Sequence, residues 1–476
     1  MQASMPLTIT MTQTQTNLSK DNTGNELRKG IPFVYDGGLP FFACVCDYLK
    51  KNGYSYSICG GNYGAKCGRC KVRFLNNAPL PDAIERKLLS LDEIRGNVRL
   101  ACRSNPKAKA EAVILFGEKS EILTSMKEAD PLAMPERDVI GIDLGTSTIA
   151  FSYWNSTEKK ITKTYKDLNP QIKYGADVIS RIDAAAKFGK DYISKEILDF
   201  LYDGVKKVCN QNPGSLPIYV AGNTVMLHLL AGEDATGLGG YPFSPVFIEE
   251  KKLIHKEITF ILLPGISAFV GADITAGLIS EGMLPITKEG RGKLYIDLGT
   301  NAEIALSDGE KIYCTATAAG SAFSSTEGLG SDSISKLAGL LRNGSVDETG
   351  LLKRDKGVLS QKTIRDLQLA KAAVYCGVNI LLKKAGMEYK DIVSVTIAGG
   401  FGYYLDKEDA AVTGLIAKEL TGRINSCGNA SLLGSLMYDR IKDALNLNEG
   451  FEAIDLAMEP GFEDEFIGQV NFNGLV

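Results

Sequence analysis

Hydrophobic and polar positions divide this chain into a short-period N-terminal quarter and a longer, glycine-punctuated remainder. Residues 1–30 are polar, and within them Leu7–Thr14 alternates at the period of a half-buried strand. Asn17–Lys29 is polar enough to read as a mobile loop. Ile31–Tyr35 reads as a strand and Leu39–Asn52 as a helix stopped by Gly53. Lys71–Leu75 and Ala112–Phe116 are further strands, with Val98–Arg103 between them. Gly117–Arg137 is charged, holds Pro131 and Pro135, and reads as a linker. From Asp138 apolar strands alternate with helical patterns, which argues an α/β architecture. Two segments there resemble each other, Val139-Ile-Gly-Ile-Asp143-Leu-Gly-Thr-Ser and Lys293-Leu-Tyr-Ile-Asp297-Leu-Gly-Thr-Asn. Each is an apolar run ending in Asp-Leu-Gly-Thr, so a duplicated domain is expected, with halves at 138–290 and 291–476.

Composition narrows the classes. At 476 residues the chain exceeds the size of a single core, so two to four domains are expected. A net charge of −4 gives no general affinity for nucleic acid or anionic membrane. No apolar run reaches the length of a membrane span, and the N-terminus lacks the apolar core of a signal peptide, which makes the cytoplasm the expected location. Ten cysteines in that setting point to metal ligands and core thiols rather than disulfides. His228 and His255 are the only histidines, which excludes a His-rich metal site.

Four of the cysteines carry a pattern. Cys59, Cys67 and Cys70 share one loop, and Cys102 stands far downstream. Three clustered thiolates and one distant thiolate form the ligand plan of a plant-type [2Fe–2S] centre. Gly60, Gly61, Gly64 and Gly68 let the loop bend inward and aim N–H groups at sulfur. A structural zinc site is the alternative, but it usually presents two short Cys pairs, and only Cys67 and Cys70 form one here. The interval between Cys59 and Cys67 is longer than the plant-type spacing. Cys44 and Cys46 lie on an apolar helix and read as small core residues. The order of elements over 31–116 resembles a β-grasp ferredoxin.

The Asp-Leu-Gly-Thr turns carry a second chemistry. Glycine lets such a turn approach a phosphate, amide and hydroxyl groups bind its oxygens, and the aspartate holds Mg²⁺ or a water. Gly145, Thr146, Ser147 and Thr148 follow Asp143; Gly299, Thr300 and Asn301 follow Asp297. A third turn, Gly399-Gly400-Phe401-Gly402, also ends an apolar strand. Over 138–476 the arrangement resembles the actin, Hsp70 and sugar kinase superfamily. That likeness implies a duplicated RNase H-like ATPase domain, with the first two turns on phosphate and the third on adenosine. No Walker sequence is present.

A narrower resemblance rests on Asn169-Pro-Gln-Ile-Lys-Tyr-Gly-Ala-Asp177-Val-Ile-Ser-Arg181, Gly222-Asn223-Thr224-Val-Met-Leu-His228, Val270-Gly-Ala-Asp273, Leu369-Ala-Lys371-Ala-Ala, Gly428-Asn429-Ala-Ser-Leu-Leu-Gly and Arg99-Leu-Ala-Cys102. These segments resemble the ATP-dependent reductive activators of corrinoid proteins. The likeness implies an ATP-hydrolysing reductase that returns Co(II) to Co(I), with a [2Fe–2S] cluster, ATP and Mg²⁺ as cofactors. Its implied partners are a corrinoid protein of a methyltransferase system and a low-potential electron donor, with a homodimer open. Asp143, Asp297 and Asp273 are the candidate catalytic residues, although Asp273 reads equally as a helix N-cap. Asn223 is a candidate cleft residue, Gly320 a candidate phosphate neighbour, and Lys371 either snorkels outward or meets the nucleotide. His228 reads as a core histidine.

The chain departs from that family in three places. Longer members have a further domain between ferredoxin and ATPase, for which the stretch from Cys102 to Asp138 leaves no room. Cys209, Cys314, Cys376 and Cys427 are too scattered for the C-terminal [4Fe–4S] clusters of another branch. Where the family has Ala-Ala-Gly-Pro-Ala-Phe, this chain has Ala318-Ala-Gly320-Ser321-Ala-Phe323. Activation of another low-potential enzyme, such as a dehydratase or dehalogenase, is an alternative, as is a nucleotide-binding redox sensor without turnover.

Overall fold

In the computed structural model the described residues are 30–37, 40–52, 54–55, 68–116, 118–119, 126–127, 130–175, 177–209, 212–299, 301–317, 332–354, 357–445 and 449–472. The chain forms two compact units, residues 1–45 with 70–116 and residues 46–69 with 117–476. The strand expected over Leu7–Thr14 lies outside the described residues, as do Cys59, Cys67, Thr300 and Gly320.

The first unit is an antiparallel sheet with one amphipathic helix. Strand β1 (Ile31–Tyr35) alternates exposed and buried positions and leads into α1 (Phe41–Lys51), close to the helix expected there. Phe41 anchors the helix, its ring 5.9 Å from Phe33, 5.3 Å from Tyr35 and 5.3 Å from Phe74. After β2 (Tyr54–Ser55), a two-residue strand of the second unit, come β3 (Lys71–Phe74), the short helices α2 (Glu85–Leu88) and α3 (Leu91–Arg95), β4 (Val98–Leu100) and β5 (Ala110–Ile114) of the first. The sheet order is β1-β5-β3-β4. β5 begins two residues before the strand expected at Ala112, which puts Ala110, Ala112 and Ile114 on its buried face.

The stretch read as a linker is fastened to the second unit. Its β6 (Glu118–Lys119) pairs with β2, and Met126 bridges to Gly428. Trp154 Nε1 donates to Pro135 O at 2.9 Å, and Arg137 forks onto Asp439.

The second unit carries two sheets of matching plan. In the first, β7 (Val139–Leu144), β8 (Thr148–Asn155) and β9 (Lys160–Leu168) form an antiparallel meander. Helices α4 (Val178–Phe188) and α5 (Lys190–Val208) lead to β10 (Ile218–Gly222), which pairs parallel to β7. After α6 (Thr224–Ala231), β11 (Lys251–His255) and β12 (Ile258–Leu262) complete the order β11-β12-β10-β7-β8-β9, and α7 (Ala272–Ser280) closes the layer.

The second sheet repeats this plan with β13 (Lys293–Leu298), β14 (Ala302–Ser307) and β15 (Ile312–Thr317) as the meander. Helices α8 (Asp332–Arg342) and α9 (Gln361–Ala385) precede β16 (Ser394–Ala398), parallel to β13. The short α10 (Gly399–Tyr403) and α11 (Lys407–Val412) lead to β17 (Ile424–Ser426). With the edge strand β18 (Phe451–Ala453) the order is β17-β16-β13-β14-β15-β18. Helix α12 (Ala430–Ile441) precedes β18, and α13 (Phe462–Val470) follows it.

Sequence position and packing part company at α12. It belongs to the second repeat by order, yet Leu433, Leu436 and Tyr438 join the core of the first sheet. It also crosses α7 closely: a Cβ on Gly434 would lie 1.7 Å from Ala276 O, so only glycine fits. Two large apolar clusters fill the unit, and β7 and β13 bury most of their side chains in them. Continuous apolar runs of this kind mark strands covered on both faces.

Candidate functional site

The site forms where strands stop. β7 and β13 end at Asp143-Leu144 and Asp297-Leu298, and α7 begins beside them with Asp273. Asp143 accepts from Asn429 Nδ2 at 2.9 Å and from Ser431 Oγ at 2.9 Å, both from the start of α12. Asp297 Oδ2 accepts a long bond of 3.4 Å from Tyr295 OH. Asp273 occupies the first turn of α7 and accepts from Ile274 N at 3.0 Å; Gly271, not Asp273, is the N-cap.

Glu303 completes the group and escaped the sequence reading. It is the register partner of Asp297 across the β13–β14 pair, a placement of like charges that destabilises a sheet. The signal was present, because a three-residue turn after Leu298 sets Glu303 opposite Asp297. The first repeat differs: its loop is one residue longer, and Ala150 faces Asp143.

These acids keep some accessible surface but are enclosed by protein, and each is held above its ordinary range. Burial pushes Asp143 up, offset by the Asn429 and Ser431 bonds. Burial, with Asp143 nearby, raises Asp297 to about 6. Burial, Asp297 and Asp143 raise Asp273 to about 7. Glu303 is pushed well up by burial, then by Asp273 and Asp297. Like charges gathered in a desolvated place resist ionisation until a cation joins them.

The turns differ in support. Thr146 Oγ1 accepts from Asn223 Nδ2 at 3.1 Å, and Asn223 also caps α6 through Met226 N at 2.9 Å. Asn169 Nδ2 donates to Gly145 O at 2.9 Å, and Arg181 Nη2 to Thr146 O. In the second turn Gly299 N donates to Asn301 O at 2.9 Å, and Asn301 is exposed. The third turn presses on the second: Gly399 has φ +83°, and a Cβ there would lie 2.5 Å from Leu298 O and 2.6 Å from Asp297 Oδ1. Gly400 opens onto free space, whereas Phe401 is buried in the second core and a Cβ on Gly402 would strike Ile397.

Two further residues resolve differently. Lys371 is buried, but its ammonium donates to Asn471 O at 2.7 Å and lies over the Phe472 ring. It clamps the segment after α13, and burial lowers it to about 8. His228 is a core histidine: Nδ1 is 2.7 Å from Thr224 O, so it carries the proton, and Nε2 accepts from Val246 N at 3.0 Å.

In the first unit Cys70, at the head of β3, and Cys102, just past β4, approach to 3.3 Å between sulfurs. That is too far for a disulfide, whose bond is about 2.05 Å. Ala101 N donates to Cys70 O at 2.7 Å, which fixes the pair. Buried Arg99 holds the approach to Cys102 through Pro79 O at 2.7 Å. Among the described residues no three His, Cys, Asp or Glu side chains converge as a metal centre. No helix of the described residues is long and apolar enough to cross a membrane.

Paired sheets of this plan, meeting at strand-end turns, define an ASKHA-type protein, and a family model described as "C-terminal domain of RACo the ASKHA domain" matches residues 292–333 and 344–474. A second, described as "RACo middle region", matches residues 139–285. The chain belongs to the family that these two models describe. The first sheet and its helices are thus the part matched as the middle region. The chain is 28% identical over 430 residues to "Corrinoid activation enzyme RamQ" of Eubacterium limosum, covering 72% of this chain and 72% of that protein. It is 24% identical over 409 residues to "[Co(II) methylated amine-specific corrinoid protein] reductase" of Methanosarcina barkeri, covering 67% and 74%. Its fold is similar to a solved "Reductive activator for corrinoid,iron-sulfur protein" with a TM-score of 0.59, 19% identity and coverage of 93% of this chain and 98% of that one.

Proposed function

We propose that this chain is an ATP-dependent reductive activator of a corrinoid protein, returning inactive Co(II) to Co(I). The observation that carries the reading is the gathering of Asp143, Asp273 and Asp297 at the strand-end turns of an ASKHA fold, in a chain whose relatives bear corrinoid-activation names. Cys59, Cys67, Cys70 and Cys102 would hold a [2Fe–2S] cluster, and the approach of Cys70 to Cys102 fits that role. When bound, the cluster supplies one-electron transfer.

The nucleotide side follows from charge. Mg²⁺ sheds its waters reluctantly and is commonly held by one or two carboxylates and substrate phosphates. Separated acids suit this better than a tight protein cage, so Asp143 and Asp297 would hold Mg²⁺ largely through its waters. Asp273 orients the attacking water. Gly145, Thr146, Ser147 and Thr148 receive phosphate on one side, Gly299, Thr300, Asn301 and Gly320 on the other, and Gly399, Gly400 and Gly402 border the adenosine. Lys371 and the Phe401 side chain serve the packing around this site instead.

ATP is needed because the electron must go uphill. Plant-type ferredoxins lie near about −400 mV, and each further 100 mV costs roughly 2.3 kcal/mol per electron. The nucleotide contributes by binding one arrangement of the two repeats better than another, since a ligand shifts an equilibrium only by differential affinity. ATP hydrolysis by the anaerobically purified chain, measured with and without a Co(II) corrinoid protein, tests the reading. Stimulation by the corrinoid protein is expected; absence of hydrolysis in both cases contradicts it.

A further inference from the structure

Behind the first strand-end turn sits a buried cation. Arg181, on α4, is 1% exposed. Its guanidinium donates to Thr146 O, and to Gly175 O at 3.3 Å, and touches Met226 Sδ at 3.1 Å. Among the described residues the anion that acts on it is Asp177, whose carboxylate is turned to Ser180 N at 2.8 Å and Ser180 Oγ at 3.0 Å instead. A charge taken from water without a counter-ion is costly, and such a charge is usually kept for a partner.

The same buried layer engages the neighbouring carbonyls. Asn169, also 1% exposed, donates Nδ2 to Gly145 O and its backbone N–H to Ser147 O, both at 2.9 Å. A trans peptide points its C=O and N–H in opposite directions. With the Gly145 and Thr146 carbonyls drawn inward, the amides of Thr146 and Ser147 point outward, and neither meets an acceptor among the described residues. Thr146 Oγ1 accepts from Asn223, which leaves its own hydrogen to donate. Successive outward amides form an anion-binding nest.

We propose that Arg181 is the positioning residue and counter-charge of this turn: it fixes the Thr146 peptide from behind and supplies the positive field that a nucleotide's phosphates complete. This rests on the nucleotide reading above. Its test is binding of ATP, ADP and adenosine to the anaerobic full chain, in wild type, R181K and R181M. In R181M, ATP and ADP weaken about tenfold or more, the scale of a lost charged hydrogen bond, while adenosine affinity holds; R181K falls between. Unchanged ATP binding in R181M, or adenosine weakening in step with ATP, overturns the role. Should R181M fail to fold, amide exchange in the wild type decides. Saturating ATP slows exchange at Thr146 and Ser147, and unaltered exchange there overturns the proposal. A wild type that binds no nucleotide defeats the parent reading and this one together; a binding wild type with an insensitive R181M defeats only this one.

Discussion

The two repeats of the second unit share a strand order but not an electrostatic character. The first turn is backed by buried donors, Asn169 and Arg181, and faces Ala150 across its hairpin. Among the described residues the second shows no such backing, and it sets Glu303 against Asp297. One residue of loop length separates them, and it decides which side chain meets the aspartate. On the proposed reading the first turn gives phosphate a wall of donors and the second adds a negative wall for a cation, so that duplication with divergence would build a site that neither copy holds alone.

Breaking the negative wall should cost most. Asp297→Asn is expected to lower ATP hydrolysis by about 100-fold, the scale of losing a preorganised charge contact. The same variant should melt higher than wild type at pH 8 without nucleotide, because it removes a carboxylate that the fold resists ionising. Lower melting together with full hydrolysis would undo the assignment.

Next in size is the contact between turns. Gly399→Ala combines a left-handed φ of +83° with a Cβ driven to 2.5 Å from Leu298 O. A loss of about 1–3 kcal/mol is expected, read as a drop in melting temperature, with weaker nucleotide binding because Asp297 shifts too. Gly400→Ala, which meets nothing in the nucleotide-free chain, is the control for the stability loss alone.

The smallest effects are in pH, and they differ in sign. Asp297 and Asp273 are raised from 3.8 to about 6 and about 7, so their contribution is fully present below pH 3.8 and lost as pH rises through those values. Melting of the nucleotide-free chain should therefore show a downward component that runs from about pH 4 to about pH 7 and that Asp273→Asn reduces. His228 is lowered from 6.5 by burial, so its contribution is present above that value and fades as pH falls below it. His228→Gln should flatten the acid side alone. Melting curves of the three proteins across pH 5–8 separate the two slopes.

Much of the site was legible because its chemistry sits in punctuated turns. Asp-Leu-Gly-Thr after an apolar run announces the position of both strand-end turns. Cys70 and Cys102 were legible as a pair from ligand spacing alone. Residues that act from a distance left weaker marks. Asn429 and Ser431 reach Asp143 from a helix that belongs to the other repeat by sequence but packs on the first sheet. Glu303 required the hairpin register. Lys371 showed the converse, since a lysine on an apolar stripe signals burial but not its partner, which is the Asn471 carbonyl.

In the proposed function, energy from the nucleotide drives an electron to a corrinoid. The most direct measurement is the visible spectrum of a Co(II) corrinoid protein mixed anaerobically with the reduced full chain, with Mg²⁺ and with or without ATP. Growth of Co(I) absorbance only when ATP is present, absent in Asp297→Asn and in Cys102→Ser, is the predicted result. Equal growth without ATP, or none with it, would contradict the account.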